Sequence, residues 1–543
     1  MKNSSGATPD KTFDVIVAGS GAAALTAALT AAVAGLKVLV LEKSLLLGGT
    51  SAMSGAGMWV PANHLAAAAG FQDSPQEALA YLRSASPADW RSTEDPLWQR
   101  FTEEAPNMLA FVERHTPLRF SLTNEPDPMA EHEGGKLEGR MVSPKLLSRR
   151  LVGQYARRLR PSTMSHLFTY NEMRSTGIYT RPVRAIVCML PKLLWRALTR
   201  RAGQGSALIT GLLKGCLDHG CRVETSARVL DLLVDDAAGR IVGVRVQQGG
   251  ETLDYYARRG VVLATGGFEW DETLRQTHFP GPLDRLGSPR TNEGDGQRMA
   301  QKVGARLDRM DQANVYPTLP TVYEGKPHGL PFPFQAFAHA IVVDRHGRRF
   351  VSESDYNIGE HLDRRNADGS SVHLPAYVVA DARFMKHSLP FRWFARKQPG
   401  WVHSAPTLAE LAVRLGLPVS SLQDTVSRFN GFCAQGKDLD FARGESVWER
   451  FQSSGKVNWG RVEQGPFFGM SINRSILGTK GGPRTDPGGR VLRTDGSVIK
   501  GLYCAGNAMA NPIGTRAVGA GTTIGPCMTW GFICASSAVS EIG

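Results

Sequence analysis

The chain has 543 residues, 42% of them hydrophobic and 21% charged. That balance excludes a disordered or collagen-like polymer and supplies ample material for a large core. The net charge of +13 is local: between Arg140 and Arg201 stand fourteen Lys or Arg and one acid, Glu172, so the remainder is neutral overall. Seven cysteines, none spaced C-x-x-C, argue against a disulfide scaffold and against structural zinc, and no metal site is expected. They fit a reducing, cytoplasmic compartment. The start of the chain lacks the apolar core of a signal peptide, and no apolar run reaches the roughly 18 residues of a spanning helix.

In chain order, Phe13–Ala18 reads as a short buried strand running into Gly19-Ser20-Gly21-Ala22-Ala23-Ala24, then an Ala-rich helix over Leu25–Ala34. A second strand, Lys37–Leu41, ends at Glu42. Gly19 permits the tight turn, Gly21 lets backbone approach a pyrophosphate, and Ala24 lets helix and strand pack closely, with the helix N-terminus facing the anion. Glu42 is placed to take ribose hydroxyls. An acid there disfavours a 2′-phosphate but does not separate FAD from NAD. The small-residue runs Gly48–Ala52 and Ser54–Gly57 do: they suit a flavin, which needs close backbone approach beyond the pyrophosphate.

The segment Arg181–Arg201 sets Ile186–Leu190 and Leu193–Trp195 among Arg184, Lys192, Arg196, Arg200 and Arg201, with Pro191 in the middle. A basic, apolar, Trp-bearing stretch suits an anionic membrane surface. The competing reading is a solvated helical hairpin packed on the body. Nucleic acid is not expected, since no nucleic-acid module is present. Further on, Val261–Phe268 and Gly501–Asn507 are strands that end in glycine turns. Both bring backbone toward a cofactor, so the dinucleotide domain draws on both ends of the chain.

These pieces carry a family resemblance. GSGAAAL, GGTSAMSGAGMWVP (Gly48–Pro61), GRRFVSES (Gly347–Ser354) and the C-terminal block with LGTKGG, GLYCAGN and GAGTTIG identify the chain as a member of the fumarate reductase/succinate dehydrogenase flavoprotein superfamily. Within it, the chain most resembles the 3-ketosteroid dehydrogenases. The resemblance implies an α/β Rossmann-type FAD-binding domain with a mixed sheet, formed by residues 10–310 and 465–543, and an inserted α+β catalytic domain over 311–464. It implies non-covalent FAD held by Gly19, Gly21, Ala22, Ala23, Glu42, Lys43, Ser44, Gly49, Thr50, Ser51, Gly55, Gly57, Ala264, Gly266, Gly506, Asn507, Thr523 and Ile524. No His stands in the GG motif where respiratory relatives tether flavin; His64 lies well past it.

The implied reaction removes two hydrogens from adjacent carbons beside a ketone. The family holds the ketone oxygen with a Tyr and a Gly N–H four residues apart. Gly521 keeps the second position, but Ala517 stands at the first. Arg516, next to it, is a candidate donor to a ketone or enolate oxygen, or a carboxylate clamp as in fumarate-reducing relatives. Tyr356 is the candidate proton-transferring phenol. Another family Tyr is missing near Asn124–Pro128, and Tyr316 or Tyr323 could substitute. His115, His132, His328 and His339 receive no role. LGTKGG, without a preceding His, favours the ketosteroid branch. The leading expectation is a dehydrogenase of a hydrophobic, steroid-like cyclic ketone that passes electrons to an external acceptor such as a quinone, with peripheral membrane contact through about 181–201. The alternatives are an unsaturated-carboxylate reductase using Arg516 and a non-catalytic flavoprotein.

Overall fold

A computed structural model of the chain describes residues 11–178, 182–387, 389–453 and 459–541. The expected βαβ unit forms as β1 (Thr12–Ala18), α1 (Ala22–Val33) and β2 (Val38–Glu42). β1 and β2 pair in parallel, with Ala18 opposite Leu41. Their near-continuous apolar runs suit parallel strands covered on both faces. The basic region contributes α2 (Tyr170–Ser175) and α3 (Pro182–Leu198). β3 (Arg222–Thr225) extends the sheet beyond β2.

On the other side of β1 lies β4 (Glu251–Leu263). Its N-terminal half forms an antiparallel hairpin with Arg240–Gln248, while its C-terminal half runs parallel to β1. The inserted unit follows. It is a four-stranded antiparallel sheet in the order Ala340–Val343, Tyr377–Ala380, Phe467–Ser471, Val402–Ala405. Helices Leu408–Leu415 and Val419–Gln435 cover one face, and an aromatic cluster that includes Phe391 of α4 (Leu389–Ala395) covers the other. The unit is α+β, and its third strand comes from beyond residue 464.

The chain then returns. β5 (Val498–Cys504) pairs in parallel with the C-terminal half of β4, Cys504 opposite Leu263. The last helix, α5 (Ile524–Ser540), packs on α1 so closely that a Cβ on Gly531 would lie 2.2 Å from the Ala23 carbonyl. The central sheet is therefore mixed and is closed by both chain ends.

The basic segment is a single helix rather than a hairpin; α3 continues through Pro191. Arg181 lies outside the described residues. Ala185, Met189 and Arg196 face inward, and Val183, Ile186, Val187, Leu190, Leu194, Trp195 and Leu198 are exposed.

Candidate active site

A cavity of about 1080 Å³ runs from the β1–α1 turn to the inserted unit. One end is built from chain turns. Gly19, Gly21, Ala22 and Ala23 come from the β1–α1 turn, Glu42 and Lys43 from the end of β2, and Gly49, Thr50, Ser51, Gly55 and Gly57 from the small-residue run. Ala264 and Gly266 follow β4, Gly506 and Asn507 follow β5, and Thr523 and Ile524 open α5. The sequence expectation for the cofactor thus converges on one cavity, with the exception of Ser44. Ser44 stands behind the lining. Its N–H donates to Glu42 Oε1 at 2.8 Å, and its Oγ accepts from Arg160 at 3.0 Å.

The geometry explains these residue types. Gly19 has φ +110°, and a Cβ there would lie 2.3 Å from the Ala264 carbonyl oxygen. Only a glycine fits where β1 and β4 end side by side. The Ala22 N–H, at the start of α1, donates to Ser51 Oγ at 3.1 Å and ties the two glycine runs together. Ser20 Oγ donates to Glu42 Oε2 at 2.6 Å, and burial pushes the Glu42 carboxyl above its ordinary pKa. Lys43 is neutralised by Glu293 (2.9 Å) and Asp295 (2.7 Å). The N-termini of α1 and α5 both meet this end, and the glycine cradle leaves room that side chains would fill. These features fit the pyrophosphate and ring system of FAD. Ala227 and Val229, just past β3, add apolar wall that no sequence spacing announced.

The other end is largely apolar, lined by Leu122, Met141, Met164, Met173, Leu330 and Phe337. Tyr316 and Gly521 line it, as the sequence suggested. Two other expected site residues lie outside this lining. Tyr356 is not in the lining; its ring packs edge-on against Trp448 at 4.6 Å, and burial with nearby Glu125 raises its phenol pKa further. Arg516 is also outside. It lines a separate cavity of about 550 Å³ with His361, Asp363 and Arg364, and its guanidinium holds Glu360 through two 2.8 Å hydrogen bonds. The carboxylate it clamps is the protein's own. The Ala517 backbone is fixed by Asn357 through 2.8 and 3.1 Å bonds, so this loop is ordered without the family phenol. Tyr323 is not in the cavity lining; its hydroxyl donates to the Pro161 carbonyl at 3.2 Å. None of His115, His132, His328 or His339 lines the cavity. His64 pairs with Glu113 at 2.7 Å.

The residues that sequence reasoning missed come from α2 and the segment before it. Tyr170, Arg174 and His166 all line the cavity. Tyr170 lies against the glycine run; a Cβ on Gly55 would be 3.1 Å from its ring. Its hydroxyl is 3.2 Å from both oxygens of Glu125, whose carboxylate also pairs with Arg174 Nε at 2.9 Å. α2 is anchored by a capping box between Thr169 and Glu172. Glu172 in turn receives a bidentate bond, 2.6 and 2.7 Å, from Arg196 on the buried face of α3. The T-x-x-E pattern was the available signal. His166 Nδ1 accepts the Ser206 N–H at 3.2 Å, which leaves the proton on Nε2 facing the Met53 carbonyl, and burial pushes its pKa down to about 4.

Comparison with known proteins agrees with an FAD-binding chain. The family described as FAD binding domain matches residues 14–524. The chain is 38% identical to 4-oxocyclohexanecarboxylate 2-dehydrogenase of Sinomonas cyclohexanicum, over 97% of this chain and 92% of that one. It is 35% identical to 3-oxosteroid 1-dehydrogenase of Mycobacterium tuberculosis, over 98% and 99%. The solved 3-ketosteroid delta1-dehydrogenase from Sterolibacterium denitrificans, in complex with 1,4-androstadiene-3,17-dione, superposes with a TM-score of 0.86 at 31% identity, covering 98% of this chain and 100% of that one. The chain belongs to this FAD-binding family and is a flavin-dependent oxidoreductase acting on CH–CH bonds.

Proposed function

We propose that the protein desaturates a hydrophobic cyclic ketone, a 3-ketosteroid or a close ring analogue, at the bond beside the carbonyl. One observation carries this reading: the FAD cradle and an apolar pocket form a single cavity, and Arg174, a cation at the wall of the pocket, is already neutralised by Glu125. That wall suits a neutral ring better than a carboxylate, so the steroid-type substrate is favoured over the small oxo acid named for one relative. Bound FAD would accept the β hydrogen together with its electron pair. The protein must lower the energy of the enolate that develops as the α proton leaves. Gly521 N–H and the Tyr316 phenol, both in the lining, are assigned to hold the ketone oxygen, with Tyr316 taking over the role of the family Tyr that Ala517 replaces. The electrons pass to an external acceptor.

Peripheral membrane contact belongs to the same reading. No helix among the described residues is long and apolar enough to cross a membrane. α3 nevertheless exposes a stripe from Val183 to Leu198, and α4 exposes Leu389 and Trp393. Met164, in the cavity wall, packs against the clusters beneath both helices. Arg and Lys residues beside both stripes suit anionic lipid, so a membrane-dissolved ketone would meet the protein near the cavity. The test of the main reading is anaerobic mixing of the yellow holoprotein with a saturated 3-ketosteroid, a 4-ene-3-ketosteroid and 4-oxocyclohexanecarboxylate. Bleaching by a steroid supports it. Bleaching by the oxo acid alone moves the substrate to the small class.

A further inference from the structure

Tyr356, the family-based candidate for accepting the α proton, is not among the residues that line the cavity, whereas Tyr170 is. We propose that Tyr170, Glu125 and Arg174 form the proton-accepting chain of this active site, with Tyr170 as the catalytic phenol. The inference rests on the ketone-desaturase reading. It adds a catalytic residue from a segment that the family motifs do not cover.

The geometry is that of an activated group, its base and an orienting partner. Tyr170 lines the cavity and packs on Gly55 and Gly57, the run that also lines the cofactor end. Its hydroxyl sits symmetrically at 3.2 Å from the two Glu125 oxygens. Glu125 is 3% exposed, so its carboxylate exchanges protons with little beyond its hydrogen-bonded partners. Arg174 holds it by Nε at 2.9 Å and reaches the cavity itself. An unassisted phenol, with a pKa near 10, is a poor base at neutral pH. A phenol that passes its own proton to a carboxylate as it gains one avoids a free phenolate.

The step balances. The α C–H bond breaks and its proton goes to the Tyr170 oxygen, while the Tyr170 proton moves to Glu125. The electron pair of the broken bond becomes the new C=C, and FAD, held by the glycine cradle, would supply the acceptor for the β hydrogen and its electron pair. Glu125 goes from charged to neutral, and burial, which raises its pKa, favours that product. Arg174 opposes it, since a cation beside the carboxylate favours the charged form. Tyr356, whose charge would repel that of Glu125, faces the same carboxylate and is itself near Tyr316, Arg174 and Asp127. Arg140 holds Asp127 at 2.8 Å. Arg174 and Arg140 are therefore the fixed cations around the chain.

The test uses wild type, Tyr170→Phe and Glu125→Gln as holoproteins, with anaerobic bleaching by a steroid that bleaches wild type, followed across pH and with the α-deuterated ketone. Tyr170→Phe is expected to keep its FAD and to bleach at least about 100-fold more slowly, with a larger isotope effect. Glu125→Gln is expected to slow bleaching at neutral pH and to recover rate as pH rises, because a phenol without a proton acceptor works as a base only through its ionised form. Equal rates, isotope effects and pH profiles in all three proteins overturn the proposal and leave the ketone-desaturase reading standing. If Tyr170→Phe loses FAD, Glu125→Gln decides: an unchanged pH profile in that variant overturns the proposal. A wild type that no ketone bleaches overturns the functional reading first, and the proposal with it.

Discussion

Arg516 and Glu360 are locked by two parallel hydrogen bonds of 2.8 Å, Nε to Oε2 and NH2 to Oε1, at the junction of the C-terminal loop with the inserted unit. Both side chains are about one-third exposed, 37% and 32%. A pair so placed contributes only about 0.2–1 kcal/mol.

Arg516→Ala is therefore expected to retain FAD, to lose stability by that small amount, and to bleach with ketone within a few-fold of wild type. Fumarate should fail to reoxidise the dithionite-reduced protein, because the guanidinium is already occupied. A bleaching rate reduced by about 100-fold or more in a variant that still holds FAD would return Arg516 to the reaction.

Gly19→Ala should abolish flavin binding. The position combines φ +110° with a Cβ only 2.3 Å from a backbone oxygen, so β1 and β4 would have to separate. Gly35→Ala is the control. It also has a positive φ, +82°, but its Cβ would meet nothing within 4 Å. That variant should cost about 1–2 kcal/mol and stay yellow. The ratio of flavin to protein absorbance distinguishes the two outcomes.

His166 predicts acid sensitivity. Its folded pKa is about 4 against an ordinary 6.5, so the unfolded chain binds the proton first. The stabilising contribution is complete above pH 6.5 and is lost as pH falls from 6.5 to 4, by about 3 kcal/mol. Urea unfolding at fixed FAD should show that loss in wild type, and His166→Gln should flatten it. An unchanged slope in the variant would assign the acid sensitivity to other groups.

Replacing Leu190, Leu194 and Trp195 of α3 with serine should release the protein from anionic vesicles while leaving bleaching by a water-soluble ketone unchanged. All three side chains are exposed. Binding should weaken with salt, since lysines and arginines flank the stripe. Equal sedimentation of variant and parent would remove α3 from the contact.

The FAD half of the site was legible because its demands fall on backbone. A glycine that must admit a pyrophosphate, or end two strands side by side, leaves a local spacing, and Gly19, Gly21, Gly266 and Gly506 each stand in one. The substrate half was not. Tyr170 and Arg174 sit on a six-residue helix whose position is set by long-range bonds, Glu172 to Arg196 and Tyr170 to Glu125. Nothing in the spacing of residues 125 and 170 announces that pairing. Tyr356 and Arg516 stand outside the cavity lining for the complementary reason. Each stands beside a recognisable motif, but Trp448 and Glu360, far off in the chain, decide which way the side chain is used. The competing reading of this segment as a hairpin is not met, since one helix runs through Pro191.

The shared edge between β4 and β5 sets an order on the life of the chain. β1 is among the first segments to leave the ribosome and β5 among the last, yet the turns that follow β1, β4 and β5 must meet before the flavin cradle exists. The inserted unit can fold on emergence, while the C-terminal half of β4, paired with β1 on one side, waits with its other flank unpaired through more than 200 residues of synthesis until β5 emerges. Flavin then works as a clasp on a finished chain. The yellow colour of a preparation reports complete synthesis and correct joining of both ends, and molecules truncated before residue 498 should be colourless and prone to edge-to-edge aggregation.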